Sequence, residues 1–496
     1  MIATNRPLVV ARTSALLRPN ARRVVAGLFV PGYEDLIHGQ SRLNPVIGRI
    51  LELDHADARS ALTAVMERFG DRHRDLPAIL ADHFSQIAHR LSGEDLAAST
   101  QLLIGAYLTS EYALEAAALF NPSIVEHPDQ TGVPEGKLRV VLSLRAVGEG
   151  HRSSIEFRTG VIDRDGTLRI DETSDQVMSG RRTDDALYER RVFADQLAAL
   201  DNDAEDADFV LSALPDRFTS GALDETVRLL RTHSVTRRTA ERTEQHLRWI
   251  AECNYRTSFP PGSRLDERAL LPASPVERSG MEDARFVRFT DDDGTVTYHA
   301  TYTAYDGSQV RPQLISTADF RTFQVSQLTG AAASNKGLAL FPRPIKGRRM
   351  ALSRWDREST SLASSPDGFR WDQVASIAIP QQSWELIQIG NCGSPIETAE
   401  GWLVLTHGVG PMRSYAIGAM LLDLADPAVV RGQLVRPLIE ATEAERDGYV
   451  PNVVYTCGAI IHAGRLVVPY GSADSAVGVA VVDLGRLIGT LLGSTA

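Results

Sequence analysis

The sequence predicts a mainly β fold: a five-bladed β-propeller over about residues 121–490, preceded by an α-helical domain (1–120) and interrupted by a helical insertion near 184–250. Three observations predict it. The apolar pattern switches from helical spacing to strand alternation after Pro122. Short strand-turn units then recur, closed by Asp163-Arg164-Asp165-Gly166, Ser316-Thr317-Ala318-Asp319, Ser364-Ser365-Pro366-Asp367, Leu421-Leu422-Asp423 and Val481-Val482-Asp483. From the second ending onward these lie roughly 50–60 residues apart, a repeat length that suits a blade of short strands.

The elements follow in order. Leu62, Val65, Met66 and Phe69 form a helical stripe, with Asp54 or Asp57 available as N-cap and Gly70 as the stop. Leu80, Phe84, Ile87 and Leu91 form a second stripe. The Ala-rich run Leu102 to Leu119 reads as a third helix, ended by Asn121-Pro122 because proline cannot continue it. Alternating runs follow over Arg139–Arg145 and Ile155–Ile162. From Asp184 to Ile250 helical spacing returns, with Leu223, Val227 and Leu230 on one face, and accounts for the wide gap between the first two turn endings. Strands resume near Gly280, and Asp291-Asp292-Asp293-Gly294 marks a hairpin. A blade cannot cover its apolar faces alone, so stacking about an axis makes the core and leaves a central channel.

Composition narrows the function. The formal charge of −11 argues against nucleic acid, whose binders need a basic face, and against an anionic membrane. No apolar run approaches a spanning helix, and the N-terminal region has no apolar core of a secretion signal. Cys253, Cys392 and Cys457 are an odd, widely spaced set, read as free thiols of a cytoplasmic protein. The twelve histidines include no metal-site spacing, so neither metal nor cofactor is expected.

The chemistry concentrates in Ser279–Asp306, where Glu282-Asp283 sits between Gly280 and Arg285 at a strand start. Paired carboxyls beside a guanidinium suit glycosidic-bond cleavage, in which one carboxyl protonates the leaving oxygen. Successive strand side chains alternate, so one of the two should enter the channel.

Six ordered motifs carry a resemblance: Gly280-Met281-Glu282-Asp283-Ala284-Arg285, Tyr302-Thr303-Ala304-Tyr305-Asp306, Asn335-Lys336-Gly337 running to Pro342, Gly401-Trp402 running to Gly408, Pro451-Asn452-Val453-Val454 and Tyr470-Gly471-Ser472-Ala473-Asp474. The series resembles glycoside hydrolase family 130, the β-mannoside phosphorylases and β-mannosidases built on a five-bladed propeller. The resemblance implies cleavage of a β-mannoside with inversion, with Asp283 as general acid acting through a substrate hydroxyl. It implies that Arg145, Asp306 and Asp474 hold the sugar, with Tyr305, Tyr302 and Trp355 as stacking candidates. It places Lys336, Arg354 and His407 in a phosphate cradle, inorganic phosphate being the co-substrate that gives α-mannose 1-phosphate.

Two alternatives remain open at this point. Asp356 or Glu358 would serve as the base of a hydrolase, which must activate water where a phosphorylase uses phosphate. A non-catalytic carbohydrate- or protein-binding propeller is the other. The expected partners are a β-mannoside oligosaccharide and phosphate, with self-association through the helical parts.

Overall fold

Five of the repeated aspartates found in the sequence close the same kind of corner. In a computed structural model describing residues 8–31, 43–91, 96–183, 186–200, 204–233 and 237–493, each lies at the turn after the third strand of an antiparallel meander. Asp319 Oδ1 accepts the amides of Arg321 and Thr322, Asp367 Oδ1 those of Phe369 and Arg370, and Asp423 Oδ1 those of Ala425 and Asp426. Asp483 Oδ1 accepts the Arg486 amide, and the Asp163 carbonyl accepts the Gly166 amide. A short carboxylate bonding its own backbone two or three residues on makes the turn.

Among the described residues the meanders number five. The first runs Ala118–Glu126, Leu138–Val147, Ser153–Ile162 and Leu168–Ile170. The second, Gly280–Thr290, Val296–Tyr305, Val310–Thr317 and Thr322–Gln327, pairs with the first through the parallel bridge of Gly280 and Ser153. The third runs Ala339–Leu340, Arg349–Ser353, Thr360–Ser365 and Asp372–Ala378, and the fourth Gln388–Asn391, Trp402–Val409, Tyr415–Leu422 and Val430–Gln433. The fifth contains Val454–Tyr455, Arg465–Ser472 and Ala476–Asp483, and its outer strand is Val10–Leu17 from the other end of the chain. The fold is mainly β, and no described sheet closes on itself.

That N-terminal strand corrects the expected helical domain of 1–120. By its contacts the chain divides into one unit of Asn20–Ala116 with Thr173–Ser179, and a second made of the remainder. The smaller unit holds helices Leu43–Leu51, His55–Phe69, Leu76–Ile87 and Ala98–Tyr107 around Leu43, Ile47, Ile87, Leu103 and Ile104. Asp54 is the N-cap of the second helix, accepting from the amides of Ala56 and Asp57. The run from Leu102 to Leu119 is not one helix. It turns at Leu108 into the strand Thr109–Ala113, which pairs with Val24–Leu28. Glu115, 1% exposed, is held by Arg23 at 2.9 Å, and pairing a buried carboxylate outweighs helix propensity here.

The helical insertion lies in the larger unit. Asp184, its expected start, falls outside the described residues. Helices Arg190–Ala198, Ala204–Ala213, Ser220–His233 and Arg237–Cys253 bury Leu223, Val227 and Leu230 in a cluster of their own. The insertion docks on the second meander: Gln196 Nε2 donates to the Gln327 carbonyl at 2.8 Å, and Tyr255–Ser258 pairs with Thr322–Gln327. Among the described residues no helix is long and apolar enough to cross a membrane. The three cysteines are free and buried.

Candidate functional site

Topology gathers the predicted residues at one end of the meanders. Arg145 lies near the end of a second strand, Asp306 and Arg354 directly follow the second strands of their own meanders, and Asp474 comes two residues after the end of its own. Asp283 opens the first strand of the second meander, on the same side.

Asp283 sits in a β-bulge. Glu282 pairs with Thr303 and Arg285 with Thr301, so Asp283 and Ala284 together oppose Tyr302. Asp283 takes φ +55°, the left-handed region that aspartate and asparagine enter more readily than most residues. The bulge overturns the expectation that strand alternation admits only one carboxylate. Arg145 Nη2 donates to Glu282 Oε1 at 2.7 Å while Nη1 donates to Asp283 Oδ1 at 3.3 Å. Arg145 Nε is fixed by Ser153 Oγ at 2.9 Å, and its guanidinium lies 5.0 Å from the Phe120 ring centroid.

Around this pair the charges interlock. Lys336 Nζ donates to the second oxygen of Glu282 at 2.5 Å. Asn121, also at positive φ, donates its side-chain amide to Asp283 Oδ1. Arg285 is 2% exposed and bonds the Asp283 carbonyl, the Cys392 carbonyl and the Tyr455 hydroxyl at 2.9, 2.7 and 3.0 Å. Burial would raise the Asp283 carboxyl, but Arg145, then Arg285 and Lys336, hold it at about 2.

Asp474 is the opposite case. It stands at φ +48° in the turn between the last two long strands and has no hydrogen-bonding partner among the described residues. Burial pushes its carboxyl up to about 7; Arg145 opposes the rise, Asp283 adds to it and Arg413 opposes it. Arg145 therefore acts on both carboxyls, one held down to about 2 and the other pushed up to about 7.

Arg354 and His407 form a second cluster. Arg354 Nη1 lies 2.7 Å from His407 Nε2, and a guanidinium can only donate, so that ring nitrogen accepts. The side-chain amide of Gln388 lies 2.9 Å from the same nitrogen. His407 is 1% exposed, and burial, then Arg354 and Arg285, hold it well below the usual imidazole range. The expected cation is thus a neutral imidazole that orients Arg354. The Nε of Arg354 is buried without a partner among the described residues.

Other expectations are corrected. Asp306 Oδ1 accepts from the Ser308 amide and hydroxyl and the Gln309 amide at 2.7, 2.8 and 2.7 Å, so it closes a turn and makes no described contact with the Arg145 cluster. Tyr305 donates its hydroxyl to the Gly307 carbonyl at 2.7 Å. Tyr302 is 2% exposed and bonds the buried Glu277, so it belongs to the core; Trp355 is exposed. Asp356 is another turn carboxylate, bonded to the amides of Glu358 and Ser359 at 3.0 and 2.9 Å and to the Ser359 hydroxyl. Glu358 is exposed, with no side-chain partner among the described residues. Sequence reasoning missed Asn121, read as a helix exit, and Glu282, set aside by alternation. The Asn-Pro step inside the strand Ala118–Glu126, where its register shifts between Phe120 and Ser123, was the signal for the first; nothing local announces the bulge at Asp283.

The profile of glycoside hydrolase family 130, described as beta-1,4-mannooligosaccharide phosphorylase, matches residues 263–491. The beta-1,2-mannobiose phosphorylase of Listeria innocua is 34% identical over 221 residues, which are 43% of this chain and 61% of that protein. The 1,2-beta-oligomannan phosphorylase of a Thermoanaerobacter species is 32% identical over 225 residues, 45% of this chain and 74% of that protein. A beta-1,2-mannobiose phosphorylase from the same strain is 30% identical over 249 residues, 49% of this chain and 80% of that protein. Among solved structures, that of the Listeria innocua beta-1,2-mannobiose phosphorylase with beta-1,2-mannobiose is similar at a TM-score of 0.45 and 23% identity, covering 77% of this chain and 93% of that one. The profile match takes in the Glu282-Asp283 motif and the strands that follow it, and with the two Thermoanaerobacter relatives it shows that the chain belongs to glycoside hydrolase family 130.

Proposed function

We propose that the protein is a β-mannoside phosphorylase. Phosphate attacks the anomeric carbon from the face opposite the leaving group, the glycosidic C–O bond breaks, and a proton passes to the leaving oxygen. The products are α-mannose 1-phosphate and a sugar one residue shorter. On this reading the five meanders are the blades of a five-bladed propeller, and the site lies at one mouth of its channel.

The observation that carries the reading is Arg354. Its buried Nε has no partner among the described residues, and the neighbour on its other edge is a neutral histidine. An unsatisfied guanidinium edge is costly unless an anion binds it, and a phosphate oxygen is a fitting acceptor. Lys336 is the second cation, and its side chain bonds Glu282 alone among the described residues. The carboxylates a hydrolase would need, Asp356 and Glu358, are a turn closure and an exposed side chain.

Asp283 is assigned as the acid. A carboxyl held at about 2 carries no proton near neutrality. A bound phosphate offsets the positive charge of Lys336, one of the cations that hold the carboxyl down, and so relieves part of that depression. With phosphate bound, Asp283 takes up a proton from solvent and passes it to a hydroxyl of the sugar, which gives its own proton to the glycosidic oxygen as the C–O bond breaks. Arg145 and Asp474 hold that sugar, the first as a charged donor and the second through its unpartnered carboxyl. Tyr305 and Asp306 stand at the end of their strand, and the turn bonds leave Asp306 Oδ2 to accept from a hydroxyl of the sugar.

The test is incubation with β-1,2- and β-1,4-linked mannobiose, with and without inorganic phosphate. Phosphate-dependent appearance of α-mannose 1-phosphate is expected. Free mannose released at the same rate without phosphate would overturn the reading.

A further inference from the structure

His151 and Tyr449 are 298 positions apart and meet, His151 Nδ1 lying 2.7 Å from the Tyr449 hydroxyl. Each is anchored to a residue proposed to hold the sugar. His151 sits six residues beyond Arg145, in the tight connection between strands Leu138–Val147 and Ser153–Ile162, at φ +58°. Its own amide bonds the Gly148 carbonyl at 3.2 Å, which fixes the connection. The Tyr449 amide donates to Ser475 Oγ at 2.7 Å, and the Val450 amide to the Ala473 carbonyl at 2.9 Å. The tyrosine loop is thereby bound to both neighbours of Asp474. Gly448 permits that approach: a Cβ there would stand 2.4 Å from Ser475 Oγ and 2.7 Å from Ala473 Cβ.

The pair contributes little to the core. Tyr449 is 43% exposed, and the rings lie 6.0 Å apart and tilted by 37°, so neither covers the other's face. His151 Nε2 has no partner among the described residues. The turn that holds the tyrosine loop is strained: Ala473 and Asp474 both take positive φ, as does His151 itself. Backbone strain of this kind is retained where neighbouring structure holds a binding surface in place. A rigid loop that presents an open aromatic face beside a polar ring nitrogen suits a pyranose, whose C–H face packs on the ring while its hydroxyls find the nitrogen.

We infer that His151 and Tyr449 form the platform for the leaving-group sugar, a hexopyranose on the far side of the scissile bond from the mannosyl unit held by Arg145 and Asp474. This rests on the phosphorylase reading above. It assigns the selection of the acceptor to two loops of the first and fifth meanders, separate from the phosphate cradle on the third and fourth.

The experiment uses the synthetic direction, with α-mannose 1-phosphate as donor and mannose as acceptor. Tyr449→Ala should raise the acceptor KM about tenfold while the donor KM stays within about twofold, because only the outer sugar loses its contact. Tyr449→Phe keeps the ring face and should hold the acceptor KM within about threefold of wild type. An unchanged acceptor KM in Tyr449→Ala, a parallel rise in both KM values, or equal damage from Tyr449→Phe would overturn the platform. A wild-type protein that makes no sugar phosphate removes the phosphorylase reading and leaves the platform to a binding measurement. In saturation-transfer NMR with β-1,2-mannobiose, the reducing-end ring protons should lose their signal in Tyr449→Ala; an unchanged signal overturns the platform there too.

Discussion

Glu282 and Asp283 are adjacent in one strand, yet both carboxylates bond the same guanidinium, that of Arg145, at 2.7 and 3.3 Å. The bulge at Asp283 makes this geometry, and its positive φ restricts which residues the position accepts. Two negative charges side by side are held there by Arg145, Lys336 and Arg285.

Asp283→Asn separates chemistry from conformation, because asparagine also tolerates positive φ. The variant should fold, with an unchanged far-UV circular dichroism spectrum. Phosphorolysis should fall roughly 10²–10⁴-fold, the usual share of a general acid. Activity within fivefold of wild type would place the acid elsewhere.

Arg145 cannot be replaced by lysine without loss, because an ammonium is a single point of charge and the guanidinium serves Glu282, Asp283 and Ser153 at once. Hydrogen bonds to charged groups contribute about 1.5–3 kcal/mol each, so Arg145→Lys should lower kcat/KM at least tenfold. The loss should appear at subsaturating mannoside, with the phosphate dependence unchanged. A defect confined to the phosphate KM would move Arg145 into the anion site.

Lys336→Ala and Glu358→Gln give opposite expectations. The first removes a cation beside the proposed phosphate position and should raise the phosphate KM tenfold or more, on the order of the 1.4 kcal/mol that a tenfold change represents. The second alters an exposed side chain and should change nothing beyond about twofold. Collapse of turnover in Glu358→Gln would restore a water-activating base and a hydrolase.

The turns were legible in the sequence because they are local. Asp319, Asp367 and Asp423 bond amides two and three residues on, so their recurrence shows in the sequence as it does in space. The hairpin at Asp291-Asp292-Asp293-Gly294 is equally local, with Gly294 at φ +84°. Long-range pairing was not legible. Thr109–Ala113 is a strand because Val24–Leu28 lies beside it, and the Ala-rich sequence around it favours helix. His407 looks cationic by residue type and is neutral by burial. Asp306 and Asp356 stand at motif positions, but each also closes its own turn, with backbone amides on Oδ1.

Asp474 gives a pH dependence with a definite sign. Its carboxyl rises from an ordinary 3.8 to about 7 in the folded protein. A carboxyl raised by folding favours the native state at low pH, and that contribution is lost as pH rises from about 4 through about 7. Asp474→Asn cannot ionise, so the difference in melting temperature between variant and wild type should shift in the variant's favour from pH 4.5 to pH 8. A difference that stays constant over this range would mean that Asp474 is ionised throughout.

Gly390 tests the Arg354–His407 pair from behind, without touching either side chain's chemistry. It pairs with His407 across the strands Gln388–Asn391 and Trp402–Val409. A Cβ at this position would stand 2.6 Å from His407 Cε1 and 3.0 Å from Arg354 Cδ. Neither atom is the far tip of a free chain, since the ring and guanidinium are bonded to each other at 2.7 Å. Gly390→Ala must therefore push the pair forward or tilt it, at a stability cost of about 1–3 kcal/mol, typical of overpacking. If Arg354 holds phosphate, the displacement should raise the phosphate KM about tenfold and leave the mannoside KM within about twofold. A lowered melting temperature with an unchanged phosphate KM would show that the pair only supports the fold, and would remove the observation on which phosphorolysis rests.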